Sequence, residues 1–469
     1  MTPGLRVVSG TIFYPRGGSS FVTRALTRGL AADEGVEVTL LAGSRHDQSG
    51  HGDARRFYTG LDLHEVDFTP SLAAADPTAH RATVPGTAPL QPSYEDRPNA
   101  SDRVFTRLDA AAFEEHVSAW SRELVDAGAA TADVLHLHHL TPLHEAAARV
   151  APDVPVVTHL HGTELLLLEA IEAGELGGPH AQAWRERLCR WAHTSACLIV
   201  APGNRARAMR VLDLGRDRFA ELPNGFDPVT FRPLRVNREA VWRRVLVDEP
   251  RGWLPDAGPG SIAYDADVLE RFRHGPVVLF VGRFTSVKRL PLLLDCFAAA
   301  QARTPLGATL VLVGGHPGEW EGEHPADAVA RLGRDDVLLA GWHEQDELPE
   351  LLAAADLLVL PSARESFGQV IVEAMACGVA PVAAASLGPA RIIEDGRTGW
   401  LFDVDDADAL THALTEALSD AGERQRRAAA GERSALERFT WPAVAAQLAD
   451  LLRAAAGDVP RQTQSTRDR

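Results

Sequence analysis

The chain has 469 residues, too many for one ordinary core, so two to three domains are expected. Its 47 basic against 64 acidic residues leave a formal charge of −17 at pH 7. That sign excludes the basic footprint of a nucleic-acid binder and broad adhesion to anionic lipid, leaving peripheral membrane contact to a local basic patch.

From the N-terminus, the chain runs straight into an apolar strand, Leu5–Ser9, with no charged segment followed by a long apolar stretch. No leader is therefore expected, and the expected location is cytoplasmic. No apolar run approaches the roughly 20 residues of a membrane-spanning helix. Next comes Phe13-Tyr-Pro-Arg-Gly-Gly-Ser-Ser20. A glycine pair between strand and helix lets backbone approach a phosphate or sugar, although a tight turn explains Gly17 and Gly18 equally well. Further apolar runs follow at Val36–Ala42, Asp133–Leu137, Val154–Leu160 and Ala196–Ala201. They alternate with Ala/Leu/Arg-rich helical stretches, the rhythm of βαβ units and a parallel sheet. Residues 43–105 break that rhythm and read as a lid, a binding segment or a disordered insertion.

Histidines crowd two of these strand ends: His136, His138, His139 and His144, then His159 and His161. Strand period puts 136 with 138, and 159 with 161, on common faces. A zinc site would need the two strands to be neighbours. No carboxylate or Cys completes the spacing and no HExxH motif occurs, so no metal is expected. The four cysteines, Cys189, Cys197, Cys296 and Cys377, form no CxxC pair and read as reduced thiols. Asn204, Arg205, Arg207 and Arg210 open a helix with three arginines. It reads as a solvated face, with an anionic-acceptor site as the alternative.

A segment dense in Pro, Asn and Gly, Leu222–Pro233, then marks a hinge, and the βα rhythm starts again. The second set of runs is Pro276–Gly282, Ala308–Gly314, Val337–Ala340, Leu357–Pro361 and Val379–Ala385. Residues 236–275, with Trp242 and Trp253, are the second stretch outside the rhythm. Two domains follow, 1–228 and 229–440. A final amphipathic helix at 441–456, anchored by Trp441, packs back on the first, and 457–469 is a disordered tail. Asp403-Val-Asp405 has the look of a metal-binding DxD but reads as a helix-capping loop.

Two pieces of the second half carry chemistry. Arg283 and Lys288 follow the buried run that ends at Gly282. Two cations at the C-terminal edge of a parallel sheet can neutralise a diphosphate without a metal. In Pro361-Ser-Ala-Arg-Glu-Ser-Phe-Gly-Gln-Val-Ile-Val-Glu-Ala-Met-Ala-Cys-Gly378 a strand gives way to a polar loop and then a helix. The helix start suits a phosphate, and Gly368 leaves room for a ligand beside the backbone. Glu373 is the only charged residue from Gly368 to Ala385. Such a carboxylate needs hydrogen-bond donors, whether two vicinal ribose hydroxyls or a structural Arg.

Taken together, Glu365-x7-Glu373 with Ser366-Phe-Gly368 between them, the Gly282-Arg283…Lys288 loop and Pro223-Asn-Gly-Phe-Asp227…Phe231 resemble the retaining GT-B glycosyltransferases of family 4. Gly341, Asp356 and Asp395-Gly-Arg-Thr-Gly399 fit the same order. The resemblance covers nearly the whole chain and is strongest from 276 to 402. It implies an α/β fold of two Rossmann-like domains facing across a cleft. It also implies that Arg283 and Lys288 hold the donor diphosphate and that Glu373 binds the ribose. Glu365 and the amides of Ser366, Phe367, Gly368 and Gln369 would grip the transferred sugar and phosphate, and Trp342 to Gln345 would lie near the base. In the first half, Gly17 and Gly18 would face the donor phosphates and the acceptor. His161 of Thr158-His-Leu-His-Gly-Thr-Glu164 would line the donor sugar, with Thr163 and, more distantly, Asn204 and Arg205 on the acceptor side.

The expected activity is transfer, with retention of configuration, from a nucleotide-diphosphate sugar to a hydroxyl on a small molecule or glycan. A UDP-sugar is favoured over a GDP-sugar, with no metal and no cofactor. The competing readings are a nucleotide-sugar epimerase or hydrolase on the same fold and a non-catalytic nucleotide-sugar-binding protein.

Overall fold

A computed structural model describes residues 4–15, 17–46, 52–95, 101–303 and 307–457. The tail expected to be disordered lies, from residue 458 on, outside the described residues. The chain divides into two compact units: one runs to Pro223 and resumes at Trp441, and the other spans Asn224–Thr440.

The first unit is built on seven parallel strands: β1 (Leu5–Thr11), β2 (Val36–Ser44), β3 (Leu63–Asp67), β4 (Val134–His138), β5 (Val156–His159), β6 (Cys197–Val200) and β7 (Phe219–Glu221). Their order is β3-β2-β1-β4-β5-β6-β7. The chain winds outward from β1 in one direction and from β4 in the other, which makes a doubly wound sheet with its switch point between β1 and β4. Successive residues serve opposite faces. Val7 and Val134 belong to a core with Leu26, Val444, Leu448 and Leu452, whereas Val8 and Leu135 belong to one with Val117, Trp120 and Trp184. The helix Trp441–Gly457 thus covers the first sheet together with the helix Gly18–Ala31. A Cβ on Gly29 would sit 2.2 Å from the Ala445 Cβ, so glycine is what lets these two helices touch.

The second unit has six parallel strands: β8 (Val277–Gly282), β9 (Thr309–Gly314), β10 (Val337–Gly341), β11 (Leu357–Leu360), β12 (Ala380–Ala384) and β13 (Trp400–Phe402). The order β10-β9-β8-β11-β12-β13 places a switch point between β8 and β11. Five of these strands, β8 to β12, match the apolar segments of the sequence. The strands that sequence patterning did not supply, β3, β7 and β13, all lie at or beside an edge and are short or polar. A strand there needs no continuous apolar run.

Both irregular stretches are folded where they are described. Trp242 and Trp253 are fully buried, and their indole N–H groups donate to Ala354 O (3.2 Å) and Gly315 O (2.9 Å). Residues 236–275 therefore help form the second core. Phe68, Tyr94 and Phe105 do the same for the first. The second unit begins at Asn224 rather than at 229, because Phe226 already bridges to Thr440 and its N–H donates to Phe439 O at 2.8 Å. The capping role expected of Asp403-Val-Asp405 falls one residue later. Asp406 accepts from Ala409 N at 2.8 Å, while Asp405 pairs with Arg289. A surface carboxylate held by arginine is not poised for a metal. No helix among the described residues is long and apolar enough to cross a membrane.

Candidate active site

In a doubly wound sheet, ligands collect outside the carboxyl ends of the strands at the switch point. In the second unit that point is framed by the loops after β8 and β11. The β8 loop carries Arg283 and Lys288, and the β11 loop carries Glu365. Ala363 N–H donates to Val287 O at 2.9 Å and Gly388 N–H to Glu365 O at 2.9 Å, which pins the loops together. Across the switch point Lys288 Nζ lies 2.5 Å from Glu365 Oε2, both side chains being mostly buried. Arg283 is exposed and, among the described residues, makes no ion pair.

The helix Gln369–Ala376 starts directly after this loop. Gly368, at φ 96°, turns the chain into it, and no side chain caps its end. A left-handed residue is the place for glycine, and uncapped amides at a helix start suit an anionic oxygen. Ser366 is exposed, whereas Phe367 is buried, its ring 6.0 Å from that of Phe439. Phe367 is therefore an anchor, and only its backbone can reach a ligand.

One turn into the helix, Glu373 is 3% exposed, and among the described residues no arginine pairs with it. Instead Gln345 Nε2 and Gln369 Nε2 each donate to its Oε1 at 3.1 Å. Oε2 keeps no partner among the described residues. Burial pushes this carboxyl up to about 7, and the two amides only partly oppose that. The Gln369 amide also donates to Gly225 O at 2.9 Å, so its side chain is an internal tie. Trp342 stands exposed beyond β10, its ring 5.9 Å from that of His316. Gly341 before it, at φ 76°, lets the Arg251 backbone pass where a Cβ would lie 2.0 Å from Arg251 O. Asp356 is structural: it accepts from Arg238 at 2.9 Å and from Val277 N at 2.8 Å.

In the first unit the switch point joins the β1 loop to the end of β4. Gly17 (φ 74°) and Gly18 open the helix there, and a Cβ on either would meet nothing within 4 Å. His161 follows β5. Its Nε2 is 2.9 Å from His138 Nδ1, and its backbone N–H donates to Glu164 Oε1 at 2.9 Å. Burial first, then His139, holds the His161 imidazole well below its usual range, so it is neutral and suited to hydrogen bonding rather than to carrying charge. Thr163 Oγ1 is engaged by Glu164 at 3.2 Å. Asn204 is buried with its Oδ1 unpartnered. Arg205 pairs with Glu221 at 3.0 Å, while Arg207 and Arg210 share Glu169. The three arginines are thus already answered by carboxylates, which weakens an anionic-acceptor role for that helix.

The sequence reading passed over Glu164. It is fully buried, and its Oε2 is 3.5 Å from His139 Nδ1. The signal was present: a carboxylate directly ahead of Leu165-Leu-Leu-Leu168 poses the same problem as Glu373 in its own apolar run.

Each unit carries polar groups at the switch point of its own doubly wound sheet, the arrangement of a transferase built from two Rossmann-like units, and comparison with known proteins gives the family. Glycosyltransferase Family 4 matches residues 16–229, and Glycosyl transferases group 1 matches residues 265–434. A D-inositol 3-phosphate glycosyltransferase from a Nocardioides species is 29% identical over 448 residues, covering 90% of each chain. The alpha-maltose-1-phosphate synthase of Mycolicibacterium smegmatis is 30% identical over 339 residues, 69% of this chain and 80% of that one. Among solved structures, Anabaena Alr3699/HepE in complex with UDP and glucose superposes with a TM-score of 0.59 at 17% identity, over 96% of this chain and 100% of that one. The chain belongs to glycosyltransferase family 4 and has the GT-B type of fold.

Proposed function

We propose that this glycosyltransferase moves a hexosyl group, with retention of anomeric configuration and without a metal at the diphosphate, from a nucleotide-diphosphate sugar to an acceptor hydroxyl. The observation that carries the reading is the Lys288–Glu365 pair at the second switch point, flanked by unpaired Arg283 and the uncapped helix start at Gly368. Arg283, Lys288 and the amides of Ser366 to Gln369 answer the diphosphate charge. Glu373 Oε2 accepts from the ribose hydroxyls, and Trp342 offers a face to the base.

The bond from the sugar C1 to the β-phosphate oxygen breaks, and the nucleoside diphosphate leaves with the electron pair. The acceptor oxygen bonds to C1 on the same face, and its proton passes to the departing phosphate oxygen. Neither Glu365 nor Glu373 is assigned as a nucleophile: Glu365 pairs with Lys288 before the donor binds, and Glu373 is given to the ribose. His161, kept neutral, hydrogen-bonds the sugar.

A UDP-sugar is the favoured donor, as in the Anabaena structure, which holds UDP and glucose. The names of the two relatives point to phosphorylated small molecules, D-inositol 3-phosphate as acceptor and maltose-1-phosphate as product. A phosphate-bearing polyol or sugar is accordingly the first acceptor class to try, ahead of unphosphorylated glycans. A thermal-shift screen against UDP-, GDP-, ADP- and TDP-sugars tests the donor assignment: a selective rise with one nucleotide supports it. A uniform lack of response contradicts it; a shift without any turnover favours a binding protein, and turnover of donor without acceptor favours an epimerase or hydrolase.

A further inference from the structure

Three of the histidines at the C-terminal ends of β4 and β5 have a use that glycosyl transfer does not claim. β4 and β5 are neighbours, with His138 paired to His159 and His136 to Val157 in register. Strand alternation puts His136, His138 and His159 on the face that carries Val134 and Val157. All three side chains are buried, at 1%, 0% and 4% exposure. One ring nitrogen from each lies within 4.8 Å of the others. We propose that the first unit binds one zinc-type divalent ion through His136, His138 and His159.

Four observations support this site. First, Nε2 of His136, Nε2 of His138 and Nδ1 of His159 are buried without a hydrogen-bond partner. A buried ring nitrogen without a partner is costly, and three on adjacent side chains call for a shared one. Second, the ring centroids are 4.6, 5.3 and 5.6 Å apart. Three imidazoles on a tetrahedral ion, at about 2.0 Å from metal to nitrogen, have centroids about 5 Å apart. Third, the opposite nitrogens have neighbours: His138 Nδ1 is 2.9 Å from His161 Nε2, and His136 Nδ1 is 3.5 Å from Ser9 Oγ. Bound imidazoles are oriented by such outer contacts. Fourth, a dication with three neutral ligands needs negative charge close by. Glu164 is the nearby carboxylate: fully buried, it accepts the backbone N–H of His161, whose ring lies 4.8 Å from that of His159.

Two other groups, His46 with Asp53 and Glu65, and His64 with Glu123 and Asp126, are weaker. Arg55 already holds Glu65, while His64 and Gly86 N–H hold Glu123. The proposed ion is structural. It fixes His138, and through it His161, and leaves the diphosphate to Arg283 and Lys288. It departs from the metal-free expectation because the sequence did not show that β4 and β5 pair.

The test uses the full-length chain, stripped with a chelator and then titrated with Zn²⁺ and, separately, Co²⁺. The expected result is one tightly held ion per chain by elemental analysis, a tetrahedral Co²⁺ absorption band and a rise in Tm with Zn²⁺. His136→Leu/His138→Leu, which replaces the orphans with apolar side chains, should lose the ion and the band. His64→Gln should keep both. Should the leucine variant fail to fold, the wild-type stoichiometry and spectrum decide alone. No ion above trace in the wild type, or a Co²⁺ band that survives in the leucine variant, overturns the proposal and leaves water as the partner of these nitrogens. Neither result bears on whether sugar is transferred.

Discussion

Lys288 Nζ and Glu365 Oε2 stand 2.5 Å apart, joining the loops of β8 and β11 across the switch point of the second sheet. Without donor, the lysine charge is spent on a carboxylate. On the proposed reading an incoming diphosphate shares or takes that lysine, which frees Glu365 to accept from a sugar hydroxyl. Binding thus exchanges one mostly buried ion pair for two ligand contacts.

This exchange separates product binding from turnover. In Glu365→Gln the competing carboxylate is gone, so the free nucleoside diphosphate should bind roughly 3–10-fold more tightly, the worth of a pair of about 1 kcal/mol. Turnover should fall by about 100-fold because the sugar loses its charged acceptor. Calorimetry with UDP alongside steady-state rates reads both. Weaker UDP binding in the variant would show that the pair preorganises the lysine instead.

Glu373 sets a trade-off between stability and binding. Its carboxyl, raised from 4.5 to about 7 by burial, holds its proton more firmly folded than unfolded. Stability from this group is therefore fully present below about pH 4.5 and is lost as pH rises through 7, by roughly 3 kcal/mol. Glu373→Gln should remove that slope and be more stable than wild type at pH 8, with the two alike near pH 4.5. Its donor KM should rise by about tenfold or more, since hydrogen bonds to a charged group are lost. In the wild type, donor affinity should weaken as pH falls below 7, and binding near pH 7 should release a proton. Calorimetry in buffers of different ionisation enthalpy measures that proton.

Trp342 offers an exposed aromatic face beside His316. Base stacking on such a ring contributes about 1–3 kcal/mol. Trp342→Ala should raise donor KM by about 5–100-fold with little change in kcat. An equal loss in kcat would move Trp342 out of base recognition.

Gly29 tests how the C-terminal helix is held. Alanine improves a helix interior over glycine by about 1 kcal/mol, but its Cβ here would lie 2.2 Å from that of Ala445, a backbone-anchored atom that cannot swing aside. Overpacking of this kind costs about 1–3 kcal/mol or more. Gly29→Ala should therefore lower Tm, and Gly29→Ala/Ala445→Gly should recover most of the loss.

The sequence was most legible where burial is complete. The inner strands of both sheets are continuous apolar runs because both faces are covered, and Glu373 stood out because one charge in such a run needs a partner. That partner was not legible. Gln345 and Gln369 are ordinary surface amides in sequence, and only the fold brings both to Oε1. The glycines at 17 and 368 could be placed in turns, and their positive φ values are the reason they are glycine. Edge strands such as β3 escaped notice because half their surface is polar. The histidines were visible as a cluster, but whether β4 and β5 pair is a property of topology.

Product configuration bears most directly on the central claim. The purified chain, given its preferred nucleotide sugar and a phosphorylated polyol or sugar acceptor with no added divalent ion, should yield a glycoside whose anomeric configuration by NMR matches that of the donor. Arg283→Ala, with its unpaired cation removed, should yield at least 100-fold less. An inverted linkage, or full activity in Arg283→Ala, would contradict the account.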